Sequence, residues 1–537
     1  MNLLSLLSEL TRAAPEAPVA IDADPENPIR VSRAELRSRA LWLRAELGRA
    51  GVDRGDCVAV WLPNWSDTLC WQFATASLGA HVIGVNTRYN TDEVAHVLDR
   101  ARPKVLAIAH DFHGLDLAGR LHEAVRQAGA PPPTVAVVPG PHGPAPDDVS
   151  GFDVGAGAWL PAEGEDEPPE AEQGDDELAV AFTTSGSTGK PKLAAHRESA
   201  VTAHALADAE RIGITDHDVV LCALPLSGVF GFNTAMAALA GGATCLLEPV
   251  FAEEQILGDM ARFGVTHVVA ADDMLVRITE AWRRDRVNLP RWRWLGVANF
   301  LGKVPDIAEW AQTEFRTSTA GVYGSSEVFA LTAIWPRDEP APRRWTGGGQ
   351  LVSTSIQARV VDPATELVLD PGTEGELQFR GPNVVNAYLG DPDAARRSFT
   401  PDGWFRSGDL GILAEDGAIE YHCRMGDVLR LRGFLVNPAE IEERLTAHVA
   451  VRTAKVVGVQ DADGATQAIG FVVLDDGGSS DPEALRAWCA ETLAHFKVPK
   501  VVRILDEMPT TSGTNGTKIQ TGLLREWARE SFRRYNP

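Results

Sequence analysis

Cysteine is scarce in this 537-residue chain, and its six cysteines are scattered, with no two spaced as a Cys-x-x-Cys pair. That spacing argues against both a zinc framework and a disulfide-stapled fold, so we expect reduced thiols and a cytoplasmic location. The N-terminal segment lacks a basic leader followed by a long apolar core. It therefore predicts a helix and not a signal peptide.

Positive charge is also in deficit. The chain has 50 Lys and Arg against 74 Asp and Glu, a formal net charge of −24. Nucleic-acid binding depends on neutralising many phosphates, so this composition argues against a nucleic-acid partner. A single nucleotide can still bind where backbone amides, a few cations and a metal ion form a local pocket.

One long segment, residues 219–247, contains no Asp, Glu, Lys or Arg. It exceeds the roughly 20 apolar residues that a membrane helix needs. However, Pro225, Gly228, Gly231 and Gly242 interrupt it. The segment therefore predicts a buried strand, helix and second strand, and we expect no membrane span.

Helical and strand patterns alternate through the first half of the chain. Residues 33–50 and 91–101 have helical spacing, and residues 57–63 are a continuous apolar strand pattern. Such alternation is typical of α/β folds with helices on mostly parallel sheets. Strands and turns dominate after about residue 350.

We therefore predict an α/β protein with two domains. A large N-terminal domain of several subdomains, residues 1–426, would hold stacked, parallel-rich α/β sheets and a β-rich unit. A small mobile α+β domain, residues 427–537, would follow it.

The strongest local signal is AFTTSGSTGKPKLAAH at 181–196, where an apolar strand runs into hydroxyls, glycines and lysines. Glycines let backbone amides converge on phosphate oxygens, hydroxyls add donors and lysine adds charge. The spacing is not that of a Walker A loop. Taken alone, the segment is either a phosphate-binding loop or a flexible polar surface loop. The candidate phosphate-binding residues are Thr184, Ser185, Gly186, Ser187, Thr188, Gly189 and Lys192.

This loop resembles the phosphate-binding signature of the acyl-adenylate-forming superfamily, which includes acyl-CoA synthetases, luciferases and nonribosomal-peptide adenylation domains. Further segments resemble that family in the same order along essentially the whole chain. They are GVYGSSEVFALT (321–332), DGWFRSGDLG (402–411), CRMGDVLRLRGFLVNPAEIE (423–442) and MPTTSGTNGTKIQTGLLRE (508–526).

The resemblance implies roles for the residues of the second segment. Tyr323 would pack on adenine, and Ser326 would contact the α-phosphate. Glu327, together with Thr184, would hold Mg²⁺, for which a carboxylate oxygen is a suitable hard ligand. The segment GVANF at 296–300 resembles the one that lines the adenine and acyl pockets, so Ala298 is a further candidate.

The C-terminal segments imply the remaining roles. Asp409 would accept hydrogen bonds from the ribose hydroxyls, and Arg424 would contact the ribose. Asp427 matches the hinge between the domains, and Gly433 the glycine beside which pantetheine passes. Lys518 matches the catalytic lysine, although Thr517 separates it from Gly516. Three further positions depart from the family: Ser407 replaces a usual threonine, Cys423 a usual glycine and Arg430 a usual lysine.

The predicted acyl pocket also departs from the family. In LPLSGVFGF (224–232), Ser227 and Gly228 stand where many relatives carry an aromatic residue and a histidine. Losing two large side chains leaves volume, which favours a bulky or elongated acid. The other predicted pocket residues are Phe230, Gly296 and Gly321. The pair Asp272–Asp273 has two interpretations, contact with a hydroxyl or amine of the substrate, or a solvated loop.

The resemblance implies an AMP-forming acid–thiol ligase that uses ATP, Mg²⁺ and coenzyme A. It would convert a carboxylic acid into its acyl-AMP, release pyrophosphate and form the coenzyme A thioester. One alternative is an adenylating enzyme that passes the acyl group to a carrier protein or another partner. A non-catalytic nucleotide-binding protein is the alternative of a different class. A homodimer is common in such families.

Overall fold

The computed structural model describes residues 2–162, 176–184, 191–300, 302–431, 434–436, 438–460, 466–475, 477–513 and 516–535. The chain divides into two compact units. The first consists chiefly of Met1–Gln357 and Phe379–Phe405, and the second chiefly of Ala358–Gln378 and Arg406–Gly513 with Thr517–Pro537. The domain boundary at residue 427 stays a prediction.

The helices are α1 (Leu3–Ala13), α2 (Arg33–Arg49), α3 (Ser66–Ala76), α4 (Thr91–Ala101), α5 (Leu117–Gln127), α6 (Glu198–Ile212), α7 (Val229–Ala240), α8 (Glu253–Phe263), α9 (Asp272–Arg284), α10 (Val304–Phe315), α11 (Pro392–Ser398), α12 (Pro438–Thr446), α13 (Pro482–Ala490) and α14 (Thr521–Tyr535).

The strands up to residue 351 are β1 (Pro18–Asp22), β2 (Ile29–Ser32), β3 (Cys57–Trp61), β4 (His81–Gly84), β5 (Val105–Ala109), β6 (Thr134–Val138), β7 (Ala158–Trp159), β8 (Leu178–Thr183), β9 (Leu193–Arg197), β10 (Val219–Cys222), β11 (Thr244–Leu247), β12 (His267–Ala271), β13 (Trp294–Ala298), β14 (Ser318–Ser325), β15 (Phe329–Ile334) and β16 (Gly348–Leu351). The later strands are β17 (Gln357–Val361), β18 (Glu374–Arg380), β19 (Ala387–Tyr388), β20 (Phe405–Leu413), β21 (Ile419–Arg424), β22 (Leu429–Leu431), β23 (Phe434–Val436), β24 (Val451–Gln460), β25 (Thr466–Leu474), β26 (Val501–Leu505), β27 (Thr510–Gly513) and β28 (Gly516–Ile519).

Two large sheets organise the first unit. One has the strand order β19-β9-β8-β4-β3-β5-β6-β7, and the other contains the run β16-β15-β14-β13-β12-β10-β11-β1-β2. Neighbouring strands in the middle of each sheet are parallel, as in the pairs β3 with β5 and β12 with β13. Every residue of β3 and β5 is buried, as expected for parallel strands covered on both faces.

Local sequence signals account for several of these elements. Helix α2 begins after Ser32, whose hydroxyl and Glu35 form a capping box, and α4 spans the predicted residues 91–101. The uncharged segment forms β10, α7 and β11, with the two strands parallel neighbours, so the strand–helix–strand prediction is confirmed. Within the described residues, no helix is both long enough and apolar enough to cross a lipid bilayer.

The second unit is smaller and mixes strands with helices. The strands β17, β18, β20 and β21 are consecutive neighbours in one sheet, and β24, β25 and β26 form another. Leu524 and Ala528 of α14 pack with Phe471 of β25 in one core cluster, and residues of α12 and α13 form a second cluster with the same strands. The predicted α/β class with a small α+β unit is confirmed.

Candidate active site

Thr184 and Lys192, which flank the predicted phosphate-binding segment, lie where the neighbouring strands β8 and β9 come together. Strand β8 leads into Thr184 and the chain returns through Lys192 into β9, with β8 and β9 antiparallel. The Thr184 amide donates to the Lys192 carbonyl at 2.8 Å, and the Lys192 amide donates to Thr184 Oγ1 at 3.2 Å. These bonds close the base of the loop. The predicted residues from Ser185 to Gly189 lie outside the described part of the chain.

The short strand β19 brings Tyr388, which lies in none of the sequence motifs, close to Lys192. It pairs with β9, placing Tyr388 opposite Ala194. The ammonium of Lys192 lies 4.6 Å from the centre of the Tyr388 ring, within cation–π range. The Tyr388 hydroxyl also donates to Glu327 Oε1 at 3.4 Å. Tyr388 therefore connects the loop base with the predicted magnesium ligand.

The segment that carries Ser326 and Glu327 is a tight connection between β14 and β15. The Val385 amide donates to the Glu327 carbonyl at 2.6 Å, and the Glu327 amide donates to Ser325 Oγ at 3.2 Å. Ser326 is buried, whereas Glu327 is half-buried. The backbone of this segment is thus fixed by hydrogen bonds, while Glu327 stays partly exposed.

Tyr323, the predicted adenine-stacking residue, is buried near the end of β14. Its ring stacks on Phe379, with centroids 5.6 Å apart and an angle of 23° between the planes. One face of the ring is therefore covered by protein, and adenine stacking would use the opposite face.

Two of the three predicted pocket glycines, Gly296 and Gly321, lie on the neighbouring parallel strands β13 and β14, where close packing requires glycine. A Cβ on Gly321 would lie 1.9 Å from the Thr346 carbonyl oxygen, so no larger residue fits there. A Cβ on Gly296 would lie 2.6 Å from the Trp294 ring. Ala298 ends the strand that carries Gly296. Their roles in a substrate pocket stay predictions.

The predicted acyl-pocket residues Ser227, Gly228 and Phe230 lie at the start of α7, with Gly228 as its N-cap residue. Ser227 and Phe230 are buried. Ser227 helps to line an internal cavity between α3, the first sheet and α7. The other lining residues are Val60, Leu62, Thr68, Leu69, Gln72, Val82, Gly84, Val180, Phe182, Leu226 and Phe232.

Asp272 corrects one expectation. It is fully buried at the first position of α9, so the solvated-loop interpretation is wrong for this residue. Its two oxygens accept from the amides of Phe300 at 3.0 Å and Lys303 at 3.2 Å. Asp272 therefore stabilises the backbone of the segment after Ala298 through these two hydrogen bonds. Its residue type alone does not reveal this role.

In the second unit, Asp409 and Arg424 lie directly opposite each other on β20 and β21. Arg424 Nε is 3.0 Å from Asp409 Oδ1, and the guanidinium also donates to the Ser407 carbonyl at 2.9 Å. The Ser407 hydroxyl accepts from the Asp409 amide at 2.9 Å. The two predicted ribose-binding side chains are thus together, and serine at 407 makes the hydrogen bond that supports Asp409.

The other predicted residues of the second unit are placed as follows. Asp427 forms an ion pair with Arg525, which also donates to the Gly426 carbonyl at 2.8 Å. Lys518 lies on β28, which forms a two-stranded sheet with β27. Gly433 lies outside the described residues. The hinge, catalytic and pantetheine-channel roles stay predictions.

The side chains of the first unit that could bind a metal match the way in which magnesium is usually held, with few protein ligands. The described residues contain no group of three or more His, Cys, Asp or Glu side chains that could hold a metal ion. Magnesium usually binds through one or two carboxylates, with substrate phosphates and water completing its shell. One half-buried carboxylate, Glu327, near a loop that carries the hydroxyl of Thr184 fits that pattern.

Comparison with known families decides the assignment. The family described as AMP-binding enzyme matches residues 8–389, and the AMP-binding enzyme C-terminal domain matches residues 440–514. The chain belongs to the AMP-binding enzyme family. The predicted membership of the acyl-adenylate-forming superfamily is therefore confirmed.

Similar proteins cover the chain almost completely. A (methyl-dioxo-octahydro-indenyl)propanoyl:CoA ligase of Mycobacterium tuberculosis is 30% identical over 96% of this chain and 97% of its own length. The ligase of the same name from Rhodococcus jostii is 28% identical over 97% and 98%. The ATP-bound crystal structure of MatB from Rhodopseudomonas palustris has a TM-score of 0.83 and 26% identity, covering 99% of this chain and 100% of that chain. These similarities confirm the predicted enzyme class, an AMP-forming acid–thiol ligase.

Proposed function

We propose that this family member activates a bulky or elongated carboxylic acid with ATP and transfers the acyl group to coenzyme A. One observation carries the proposal: Tyr388 contacts both Lys192, at the base of the glycine-rich loop, and Glu327. Residues suited to phosphate and to magnesium are thereby held together by one side chain, although they are far apart in the sequence.

The six free, buried cysteines support a cytoplasmic location.

The first half-reaction joins two anions, so it needs positioning and charge neutralisation. In the proposed mechanism, the loop from Thr184 to Lys192 binds the β- and γ-phosphates, and Ser326 donates to the α-phosphate. Tyr323 holds the adenine, while Asp409 and Arg424 hold the ribose. The substrate carboxylate is already ionised at neutral pH, so no general base is required.

The first half-reaction exchanges one bond at the α-phosphorus for another. A carboxylate oxygen attacks the α-phosphorus in line, the bond from the α-phosphorus to the bridging oxygen breaks, and pyrophosphate leaves. Lys518 would place its ammonium between the attacking carboxylate and the α-phosphate. Magnesium, when bound, offsets phosphate charge, and Glu327 with Thr184 would hold it.

In the second half-reaction, the thiol of coenzyme A attacks the acyl carbonyl. A carbon–sulfur bond forms, the carbon–oxygen bond to AMP breaks, and the thiol proton passes to solvent. Gly433 would let the pantetheine arm pass close to the backbone, and Asp427 would be the hinge that exchanges the two active conformations.

The acid is proposed to be bulky or elongated because Ser227 and Gly228, at the start of α7, are small residues where many family members carry an aromatic residue and a histidine. The two full-length relatives described above support this choice, because their names specify a propanoyl group that carries a bicyclic, methylated indenyl system. Acetate and propionate are expected to be poor substrates.

ATP–pyrophosphate exchange over a panel of acids, measured with and without coenzyme A, tests the proposal. We expect acid-dependent exchange and, with coenzyme A, thioester and AMP in equal amounts. Exchange without thioester would favour transfer to a carrier protein or another acceptor. Absence of exchange with every acid would contradict the adenylation proposal, and reaction of acetate and propionate alone would contradict the bulky acid.

A further inference from the structure

A buried polar cluster lies against the segment that carries Ser326 and Glu327, and the proposed reaction does not use it. Its members are His196 on β9, His204 and Asp208 on α6, and Asn233 on α7, none more than 3% exposed. Burying four polar side chains is costly unless hydrogen bonds compensate for lost water. Their partners therefore indicate what the cluster does.

These partners are backbone carbonyls at the two ends of the segment. His196 Nε2 lies 2.7 Å from the Ser326 carbonyl oxygen, and His204 Nε2 lies 2.8 Å from that of Ala330. The Asn233 amide donates to the same Ala330 carbonyl at 2.9 Å and to Asp208 at 2.6 Å. Both ends of the segment are thus held by hydrogen bonds from side chains of three other elements, β9, α6 and α7.

The same two histidines also pack on the ring between those carbonyls. The Phe329 ring stacks on His196, with centroids 4.1 Å apart, and on His204, with centroids 5.0 Å apart. Phe329 and Leu331 have φ values of 63° and 64°, in the left-handed region that side-chain-bearing residues rarely adopt. Such backbone persists only where its surroundings hold it in place.

The hydrogen bonds define the protonation state of the rings. A carbonyl only accepts, so each Nε2 carries a proton. The Nδ1 atom of each ring is buried without a hydrogen-bond partner among the described residues, and a proton on it would leave a buried cation, so both rings are assigned as neutral. Burial lowers the pKa of both His196 and His204 to about 4, in agreement with neutral rings. Asp208, 3.3 Å from His204, is the carboxyl group facing them, and burial raises its pKa.

We propose that His196 and His204 are positioning residues, which orient Ser326 and Glu327 for adenylation by holding the backbone from Ser326 to Ala330. This inference rests on the proposed function, because it assigns the orientation of the groups that would contact the α-phosphate and magnesium. Both histidines are buried and contact the backbone of this segment and the Phe329 ring, so the role assigned to them is positioning and not catalysis.

Paired variants separate positioning from packing. His196→Gln keeps an N–H donor at a similar reach, whereas His196→Leu keeps a buried apolar side chain and removes the donor. We expect His196→Leu to lower the kcat for pyrophosphate exchange on the order of 10²-fold, as small misplacements of reacting groups do. His196→Gln should retain most of the activity, and the same pair at His204 should give the same ranking.

His81→Leu is the matched control, because His81 is a buried histidine on β4 whose pKa is likewise lowered by burial. It should leave kcat unchanged. Equal losses in the Gln and Leu variants at residue 196, or no loss in either, would overturn the positioning role.

Hydrogen exchange of the backbone amides provides a readout that does not need turnover. Amides from Glu327 to Leu331 should exchange faster in His196→Leu than in wild type, and should be unchanged in His81→Leu. If the amide hydrogens of His196→Leu exchanged as slowly as those of the wild type, the positioning role would be refuted, even if no acid is ever activated. Absence of activity in the wild type with every acid would instead refute the proposed function.

Discussion

The hydroxyl of Tyr388 donates a hydrogen bond to Oε1 of Glu327, with 3.4 Å between the two oxygens. The same ring lies 4.6 Å from the ammonium of Lys192. A carboxylate proposed to hold magnesium and a cation proposed to hold phosphate are therefore coupled through one buried aromatic side chain. The hydroxyl and the ring make separate contacts, so they can be tested separately.

Two substitutions of Tyr388 should have different effects. Tyr388→Phe removes only the hydroxyl, so we expect a several-fold increase in the Mg²⁺ concentration that gives half the maximal rate. Tyr388→Leu also removes the ring, and losing a cation–π contact of about 0.5–2 kcal/mol should raise the KM for ATP as well. Pyrophosphate release measured against Mg²⁺ and against ATP checks both. Equal effects of the two variants on both parameters would contradict the division of roles.

Local motifs predict part of the site, because some functional pairs are close in the sequence. Asp409 and Arg424 meet because β20 and β21 are neighbouring antiparallel strands joined by a short turn. Tyr388 could not be found in this way. It reaches the loop base only because β19 pairs with β9, whose residues lie almost two hundred positions earlier. That pairing depends on the whole first unit.

Contacts between distant segments of the fold are likewise not predicted by local sequence patterns. Proline and glycine breaks predict the strand, helix and strand of residues 219–247, but no local pattern predicts that β8 lies beside β4. Asp272 is a further case. An acidic residue is usually exposed, and only the tertiary structure shows that two backbone amides compensate for its burial.

Lys518 should be indispensable for acyl-AMP formation. Removing a charge that stabilises a transition state typically lowers the rate on the order of 10²–10³-fold, so Lys518→Ala should lose at least that much pyrophosphate exchange while remaining folded. Lys497→Ala is the matched control, because Lys497 forms an ion pair with Glu440 at 2.7 Å. It should retain exchange. Near-normal exchange by Lys518→Ala would exclude Lys518 as the catalytic lysine.

The size of the acid should depend on Gly228. Its φ of −109° is accessible to any residue, so Gly228→His restores the family's larger side chain without backbone strain. We expect kcat/KM for bulky acids to fall at least about tenfold relative to propionate, since lost pocket volume costs on the order of 1–3 kcal/mol. Competition between a bulky acid and propionate measures this ratio. An unchanged ratio would place the acyl pocket elsewhere.

Glu248 should make stability depend on pH. This residue is 2% exposed and, among the described residues, neither of its carboxylate oxygens has a hydrogen-bond partner. Burial, and secondarily the charge of Asp259, raises its pKa from 4.5 to about 8. The folded state therefore binds the proton more tightly than the unfolded state does. Its contribution to stability is complete below the unfolded pKa and is lost as pH rises through the folded value.

The variant Glu248→Gln keeps the side-chain volume but cannot ionise. Between pH 5 and pH 9, the free energy of unfolding should fall more in wild type than in Glu248→Gln, and urea unfolding at both pH values measures the difference. Glu9→Gln, at an exposed position of α1, controls for the loss of one negative charge and should follow the wild type. Because other buried carboxyl groups remain in both proteins, only the difference between them reports on Glu248. Parallel pH profiles for wild type and Glu248→Gln would show that Glu248 does not titrate in this range.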